Sequence, residues 1–115
     1  VRIFNEDSFV SKAPRIELVE GDITQTAAAF VKKFPGIRFS LIHLDFDLYN
    51  PTIAALEAFY PKLVPGGIVL LDEYGLNAFS GESKAIEDFF EGKMPKIYKL
   101  PWNATPGGYF HKPSL

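Results

Sequence analysis

The sequence contains no cysteine, which excludes disulfide bonds, thiolate catalysis and cysteine-based zinc sites. It also has no run of Lys or Arg longer than two residues, and its formal net charge is −2, so we expect no nucleic acid partner. No apolar stretch approaches the roughly 20 residues of a membrane span, so we expect no membrane association. The lack of cysteine also fits a reducing compartment, and the expected location is the cytoplasm.

Apolar residues, in contrast, are plentiful. Hydrophobic residues make up 47% of the 115 positions and aromatic residues 15%, which is typical of a chain that folds around a core. The length suits a single domain over residues 1–115. The chain begins at Val1 rather than Met, which leads us to expect a processed, trimmed or partial chain.

Strand-like and helix-like patterns alternate along the chain. Strands are predicted at 15–22, 39–47 and 68–75, and helices at 24–34, 50–63 and 81–90. Thr24 or Thr26 is expected to cap the first helix, and Asn50 the second. Segments 96–102 and 107–113 are predicted to pair as a C-terminal antiparallel hairpin. This order indicates an α/β fold with a mostly parallel sheet and crossover helices.

Carboxylates follow two of these strands. Asp45 and Asp47 end the strand in LIHLDFDLYNPT, and side-chain alternation predicts that they share a face. Asp72 and Glu73 end the next strand, and parallel strands deliver their carboxyl ends to the edge where ligands bind. Clustered carboxylates repel one another unless a proton or a cation compensates them, and Mg²⁺ favours such oxygen ligands. We therefore predict a divalent metal site, with one spare carboxylate as a general base.

Several residues allow a second interpretation. Asp47 also suits the cap of the helix that follows it. Asp22 suits either a turn that opens a helix or a hydrogen-bond acceptor for a nucleoside. His43 is predicted to pack in the core, because it lies deeper in the strand than the acidic pair. Tyr49 and Tyr74 suit either the wall of a pocket or ordinary packing.

Three stretches carry a family resemblance: LIHLDFDLYNPTIAALEAFYPKLVPGGIVLLDEYG, SGESKAIEDFF and KLPWNATPGGYF. Over about residues 15 to 112 the chain resembles the macrocin O-methyltransferase (TylF-type) family of class I methyltransferases. The resemblance implies a partial Rossmann-like sheet that binds S-adenosylmethionine and a divalent cation, usually Mg²⁺. It also implies a small-molecule hydroxyl acceptor, typically on a sugar.

The acidic residues match functional positions of that family. By resemblance, Asp45 is a metal ligand and Asp47 is the general base that accepts the proton of the acceptor hydroxyl. Asp72 and Glu73 match the remaining metal-ligand pair. Glu73 departs from the family, in which this position is often Asp, and its carboxylate is one methylene further from the backbone.

The cofactor side of the family's site is only partly represented. Asp22, followed by Ile23 in EGDI, matches the acid beside the adenine. The Gly-rich turn under the methionine part is absent, as are two strands that the family places between segments 15–20 and 41–47. The chain therefore resembles about the C-terminal half of the family's domain. Strand 41–47 would then expose an apolar edge, so we expect either that 15–20 fills the vacancy or that two copies pair as a homo-oligomer.

Other classes of function stay open on the residues alone. A strand ending in DxD also begins the motif of haloacid-dehalogenase-type phosphotransferases, although the hydroxyl residue expected after DxD is absent here. A metal- and nucleotide-sugar-dependent DxD transferase has no further support in the chain. A non-catalytic half-domain would instead act by association through its sheet edge.

We predict that the 115-residue chain by itself binds S-adenosylmethionine weakly or not at all. The physical reason is that no Gly-rich turn is available to let the backbone approach the methionine part of the cofactor. Isothermal titration calorimetry of the purified chain measures this directly, and a micromolar dissociation constant would contradict the prediction.

Overall fold

The computed structural model describes residues 16–72, 80–99 and 107–114. Its elements are helix α1 (Ile23–Lys33), strand β1 (Phe39–Leu44), helix α2 (Tyr49–Phe59), a 3₁₀ turn (Tyr60–Lys62), strand β2 (Leu63–Leu71), helix α3 (Ser80–Phe89) and strand β3 (Gly108–His111). The predicted positions Glu73 and Tyr74 lie outside the described residues. The α/β class is confirmed. None of the described helices has the length and apolar character needed to cross a membrane.

The three strands form one mixed sheet in the order β1-β2-β3. Strands β1 and β2 are parallel, as predicted, and their register ends with Leu44 opposite Leu71. Strand β3 pairs antiparallel with β2. The predicted hairpin is reduced, within the described residues, to a single antiparallel bridge between Tyr98 and Tyr109, because most of the pairing of β3 is made with β2.

The core lies where the sheet meets α2 and α3. Its largest buried side chain is Phe110 of β3, whose ring packs edge-on against Phe90 at a centroid distance of 5.5 Å. The other members are aliphatic side chains from β1, β2 and the two helices: Ile42, Leu44, Ala55, Leu56, Leu63, Val69, Leu71 and Ile86. Burial of this set fixes the faces of both parallel strands, and with them the direction of the residues that follow.

The helix boundaries correct both of the predicted caps. Asp22, rather than Thr24 or Thr26, is the N-cap of α1. Helix α2 begins after Leu48, which makes no side-chain capping bond, and Asn50 is already helical. Asn50 is therefore not the cap, because the chain turns into the helix two residues earlier than the sequence pattern indicated.

Strand β2 begins at Leu63, five residues before the predicted start. The sequence prediction left residues 64–67 between a helix and a strand. In the structure, Gly66 donates its N–H to the carbonyl of Lys112 at 2.8 Å, and Lys112 donates its own to the carbonyl of Gly67 at 2.8 Å. The Lys112 ammonium also donates to the carbonyls of Tyr60 and Leu63. Pairing with the segment after β3 therefore holds the glycines in the sheet.

The predicted strand at 15–22 is wrong over its described part. Residues 16–20 form no strand, and Leu18 and Val19 are 74% and 52% exposed. Among the described residues β1 pairs only with β2, so segment 16–20 does not fill the vacancy beside β1. An alternating pattern is not enough for a strand when no neighbouring backbone offers hydrogen bonds.

Candidate active site

Asp45 and Asp72 lie side by side because of the parallel register. Leu44 and Leu71 are the last paired residues of β1 and β2, and the backbone N–H of Asp72 donates to the carbonyl of Leu44 at 3.1 Å. The next residue of each strand is thus an aspartate at the same edge. The two carboxyl groups are close enough to share a hydrogen bond. The predicted convergence of these two side chains is confirmed.

This proximity changes the electrostatics of Asp45. The pKa of Asp45 is raised above its ordinary value, first by the hydrogen bond with Asp72, then by partial desolvation and by the negative charges of Asp72 and Asp47. His43 exerts a smaller effect in the opposite direction. A pair of carboxylates at hydrogen-bond distance favours either a shared proton or a bound cation, since two bare negative charges repel each other.

His43 is not a packed core residue, contrary to the prediction. Its side chain is 46% exposed, and its Nε2 lies 3.6 Å from Oδ1 of Asp72. It is exposed because side-chain alternation places it on the face of β1 opposite the buried Ile42 and Leu44. The imidazole therefore belongs to the acidic edge rather than to the core.

Asp47 lies beyond the strand rather than on it. Strand β1 ends at Leu44, so side-chain alternation does not extend to Asp47, and the prediction of a shared face with Asp45 does not hold. The backbone of Asp47 has a φ of 63°, in the left-handed region that favours glycine. Its Oδ1 is buried without a hydrogen-bond partner among the described residues, and it does not cap α2. Within the part of the chain that the structure describes, this carboxylate oxygen therefore has no structural partner.

Asp22 and Ile23 lie at the start of α1. Oδ1 of Asp22 accepts hydrogen bonds from the backbone N–H of Thr24 at 3.0 Å and from its hydroxyl at 2.8 Å. These bonds hold the pKa of Asp22 below its ordinary value. The interpretation as a turn that opens a helix is confirmed. Ile23 lines a groove between α1 and the outer side of β1.

The described carboxylates do not by themselves complete a metal centre. Within residues 16–72, 80–99 and 107–114, no three His, Asp or Glu side chains are grouped so that they could hold a metal ion. Glu73, the further predicted ligand, lies outside these ranges. The structure brings Asp45 and Asp72 together and places the unpartnered oxygen of Asp47 two residues beyond.

Known proteins share this arrangement of elements. The sequence model of the family described as Macrocin-O-methyltransferase (TylF) matches residues 7–103. A 4'-O-methyltransferase from Streptomyces olivaceus, whose substrate is 8-demethyl-8-(2,3-dimethoxy-α-L-rhamnosyl)-tetracenomycin C, is 37% identical over 67 residues. That match covers 56% of this chain and 26% of the relative.

Solved structures agree with the sequence relatives. CalS11, a TDP-rhamnose 3'-O-methyltransferase of calicheamicin biosynthesis, superposes with a TM-score of 0.75 at 34% identity, covering 82% of this chain and 40% of its own. The O-methyltransferase NovP superposes with a TM-score of 0.67 at 20% identity, covering 90% and 41%, and supports the fold alone. The chain thus spans well under half the length of the proteins it matches.

Replacing Asp45 tests the strain between the two carboxylates. Because the folded chain raises the pKa of Asp45, its ionised form destabilises the fold, and this loss appears as the pH rises through the raised pKa. Asp45→Asn keeps the size and a hydrogen-bond donor but no charge. We expect it to have a higher Tm than the unsubstituted chain at pH 7 in metal-free buffer. The difference should vanish near pH 3, where carboxyl groups are mostly protonated.

Thermal denaturation followed by circular dichroism, at several pH values with a chelator present, measures the Tm difference at pH 7 and its loss near pH 3. Glu57→Gln is the matched control, because Glu57 is an exposed carboxylate on α2 away from this edge. An Asp45→Asn chain no more stable than the parent at pH 7 would show that the pair is not under electrostatic strain.

Proposed function

The chain belongs to the macrocin O-methyltransferase (TylF) family, and on that basis we propose that it carries the acceptor side of an S-adenosylmethionine-dependent O-methyltransferase. The proposed acceptor is a hydroxyl group of a small sugar or glycoside, since two relatives above 30% identity are named as methyltransferases of rhamnose-containing compounds. A cytoplasmic location is part of this proposal. The family match favours methyl transfer over the phosphotransferase alternative.

The observation that carries the proposal is the pair of carboxyl groups, Asp45 and Asp72, at the edge where ligands of such sheets bind.

Asp45, Asp72 and Glu73 are the proposed ligands of a divalent cation, with Mg²⁺ the expected ion. Two features support the fit: the hydrogen-bonded carboxyl groups of Asp45 and Asp72, and the acceptor-only oxygen chemistry that Mg²⁺ prefers. A cation held there would lower the pKa of a bound hydroxyl and orient it.

Asp47 is the proposed general base. Its Oδ1 makes no hydrogen bond within the described chain, so an acceptor hydroxyl would not have to displace a partner there. Asp47 would take the proton of the acceptor hydroxyl. Bound S-adenosylmethionine would supply the methyl group to that oxygen and would be left as S-adenosylhomocysteine. Correct positioning of the two reactants supplies much of the rate.

Asp22 and Ile23 are the proposed contacts to the adenosine part of the cofactor. Both bonds from Thr24 end on Oδ1 of Asp22, which leaves Oδ2 for a donor on the nucleoside. Ile23 is half-buried beside that carboxylate and offers an apolar contact. Capping α1 and binding a nucleoside are therefore compatible tasks for the same residue.

Mg²⁺ binding to the chain tests this site without requiring turnover. A ligand that binds only the folded state raises Tm, so we expect millimolar Mg²⁺ to raise the Tm of the unsubstituted chain at pH 7. In Asp72→Asn, we expect the affinity to fall by roughly tenfold or more. Glu57→Gln should respond as the parent does. A parent chain indifferent to Mg²⁺, or an Asp72→Asn chain that responds equally, would refute the metal assignment.

We further propose that two copies of the chain associate through the outer edge of β1. The strand reads FSLIHL and contains none of the charged or proline residues that protect natural edge strands. Leu41 is 55% exposed on it. A groove of about 300 Å³ runs beside the strand, with Val19, Phe30 and Phe46 in its wall. A second β1 is a suitable occupant, because its backbone offers the same unpaired groups in return.

Introducing a charge at this edge should separate the copies. We expect the parent chain to elute as a dimer in size-exclusion chromatography with light scattering, and Leu41→Lys to elute as a monomer. Leu48→Lys is the control, since Leu48 is similarly exposed, at 64%, but lies outside β1. A monomeric parent chain, or equal dissociation by both substitutions, would overturn the edge pairing.

A further inference from the structure

The loop that carries Asp47 is held in an unfavourable backbone conformation. A φ of 63° is unfavourable for a non-glycine residue, and such residues persist only where the surroundings determine them. Leu48, which follows, provides no capping side chain for α2. Thr52 donates its hydroxyl to the carbonyl of Leu48 at 2.6 Å, which fixes the helix side of the loop. The part of the loop that precedes α2 has to be held by contacts with another element.

Helix α3 supplies a first contact through Gly81. A Cβ atom at this position would lie 2.8 Å from the backbone nitrogen of Tyr49 and 3.2 Å from the carbonyl oxygen of Asp47. Only a residue without a side chain allows this approach. The first turn of α3 therefore lies directly against the backbone of the Asp47 loop.

A second contact comes from the same face of α3, two helical turns later. The hydroxyl of Tyr49 donates a hydrogen bond to Oδ2 of Asp88 at 2.8 Å. The ammonium of Lys84 lies 3.1 Å from the other oxygen of Asp88. Of the two sequence interpretations of Tyr49, this contact supports packing within the fold.

Both partners are in the protonation state that the bond needs. The hydrogen bonds from Tyr49 and Lys84 hold the pKa of Asp88 below its ordinary value, and the bond to Asp88 raises the pKa of Tyr49. At neutral pH, Asp88 is therefore an ionised acceptor and Tyr49 a neutral donor. A bond to a charged acceptor is stronger than one between neutral groups.

We propose that Tyr49 and Asp88 are positioning residues for Asp47. Their hydrogen bond ties α3 to the first residue of α2, directly after the loop that carries Asp47. It thereby holds the Asp47 carboxylate where it can take the proton of the substrate hydroxyl. Neither side chain is assigned contact with the substrate. This inference rests on the proposed role of Asp47 as general base. It adds that α3 must be docked correctly, because a substitution at Asp88 should displace the carboxylate of Asp47, which lies on the loop before α2.

The test compares the parent chain with Tyr49→Phe and Asp88→Ala by carbon-13 NMR, in metal-free buffer at pH 7. We expect the carboxyl and backbone resonances of Asp47 to shift or broaden in both variants. Asp88→Asn keeps an acceptor oxygen and should restore the parent resonances. Glu87→Ala removes the neighbouring exposed carboxylate on the same helix and should leave Asp47 unchanged.

Two further measurements separate positioning from general stability. Exchange of the Thr52 amide, whose N–H points to the carbonyl of Leu48, should speed up roughly tenfold in Tyr49→Phe, which corresponds to the loss of one hydrogen bond. The double variant Tyr49→Phe with Asp88→Ala should disturb Asp47 no more than Asp88→Ala alone, because Asp88→Ala already removes the Tyr49 bond, together with the contact to Lys84.

Unchanged Asp47 resonances in Tyr49→Phe and Asp88→Ala, with only a lower Tm, would overturn the inference and leave the bond a structural one. Equal disturbance by Glu87→Ala would also overturn it. Because these spectra are recorded without metal, they do not depend on the cation site. Failure of Mg²⁺ binding would count against the proposed function and leave this result intact.

Discussion

The proposed chemistry of this chain depends on the register in which the parallel strands β1 and β2 pair. Leu44 of β1 lies opposite Leu71 of β2, and a single backbone bond from Asp72 to Leu44 extends the alignment past the end of both strands. Burial of the two leucines fixes this register, since a shift of one residue would turn the apolar side chains out of the core. The fold therefore forces Asp45 and Asp72 together, although their charges repel. The repulsion raises the pKa of Asp45 in the chain, and a divalent cation relieves it in the proposed enzyme.

The convergence of Asp45 and Asp72 was predictable from sequence because it follows from topology. Apolar strands separated by one helix imply a parallel pair, and parallel strands end at the same edge. No distance has to be known for that inference. The helices at 24–34 and 81–90 were also predictable, because their apolar spacing and their stop signals agree. Motif resemblance then added roles for the acidic residues that spacing alone does not assign.

The errors came from contacts between distant parts of the chain. His43 was expected in the core, yet it lies on the face of β1 opposite the buried Ile42 and Leu44, exposed beside Asp72. Gly66 was placed between a predicted helix and a predicted strand, yet pairing with the segment after β3 holds it in β2. The bond between Tyr49 and Asp88 joins residues 39 positions apart and depends on how α3 docks. Local patterns carry none of this information, because tertiary neighbours decide it.

Taken together, a rigid sheet edge presents the Asp45 and Asp72 pair, and a strained loop supported by α3 presents Asp47. The most direct test of the central claim is the titration of the Asp45 carboxyl carbon by NMR, with and without Mg²⁺. We expect its midpoint to lie above the ordinary aspartate range without metal, and to fall below that range at saturating Mg²⁺. An ordinary midpoint that Mg²⁺ leaves unchanged would contradict the account.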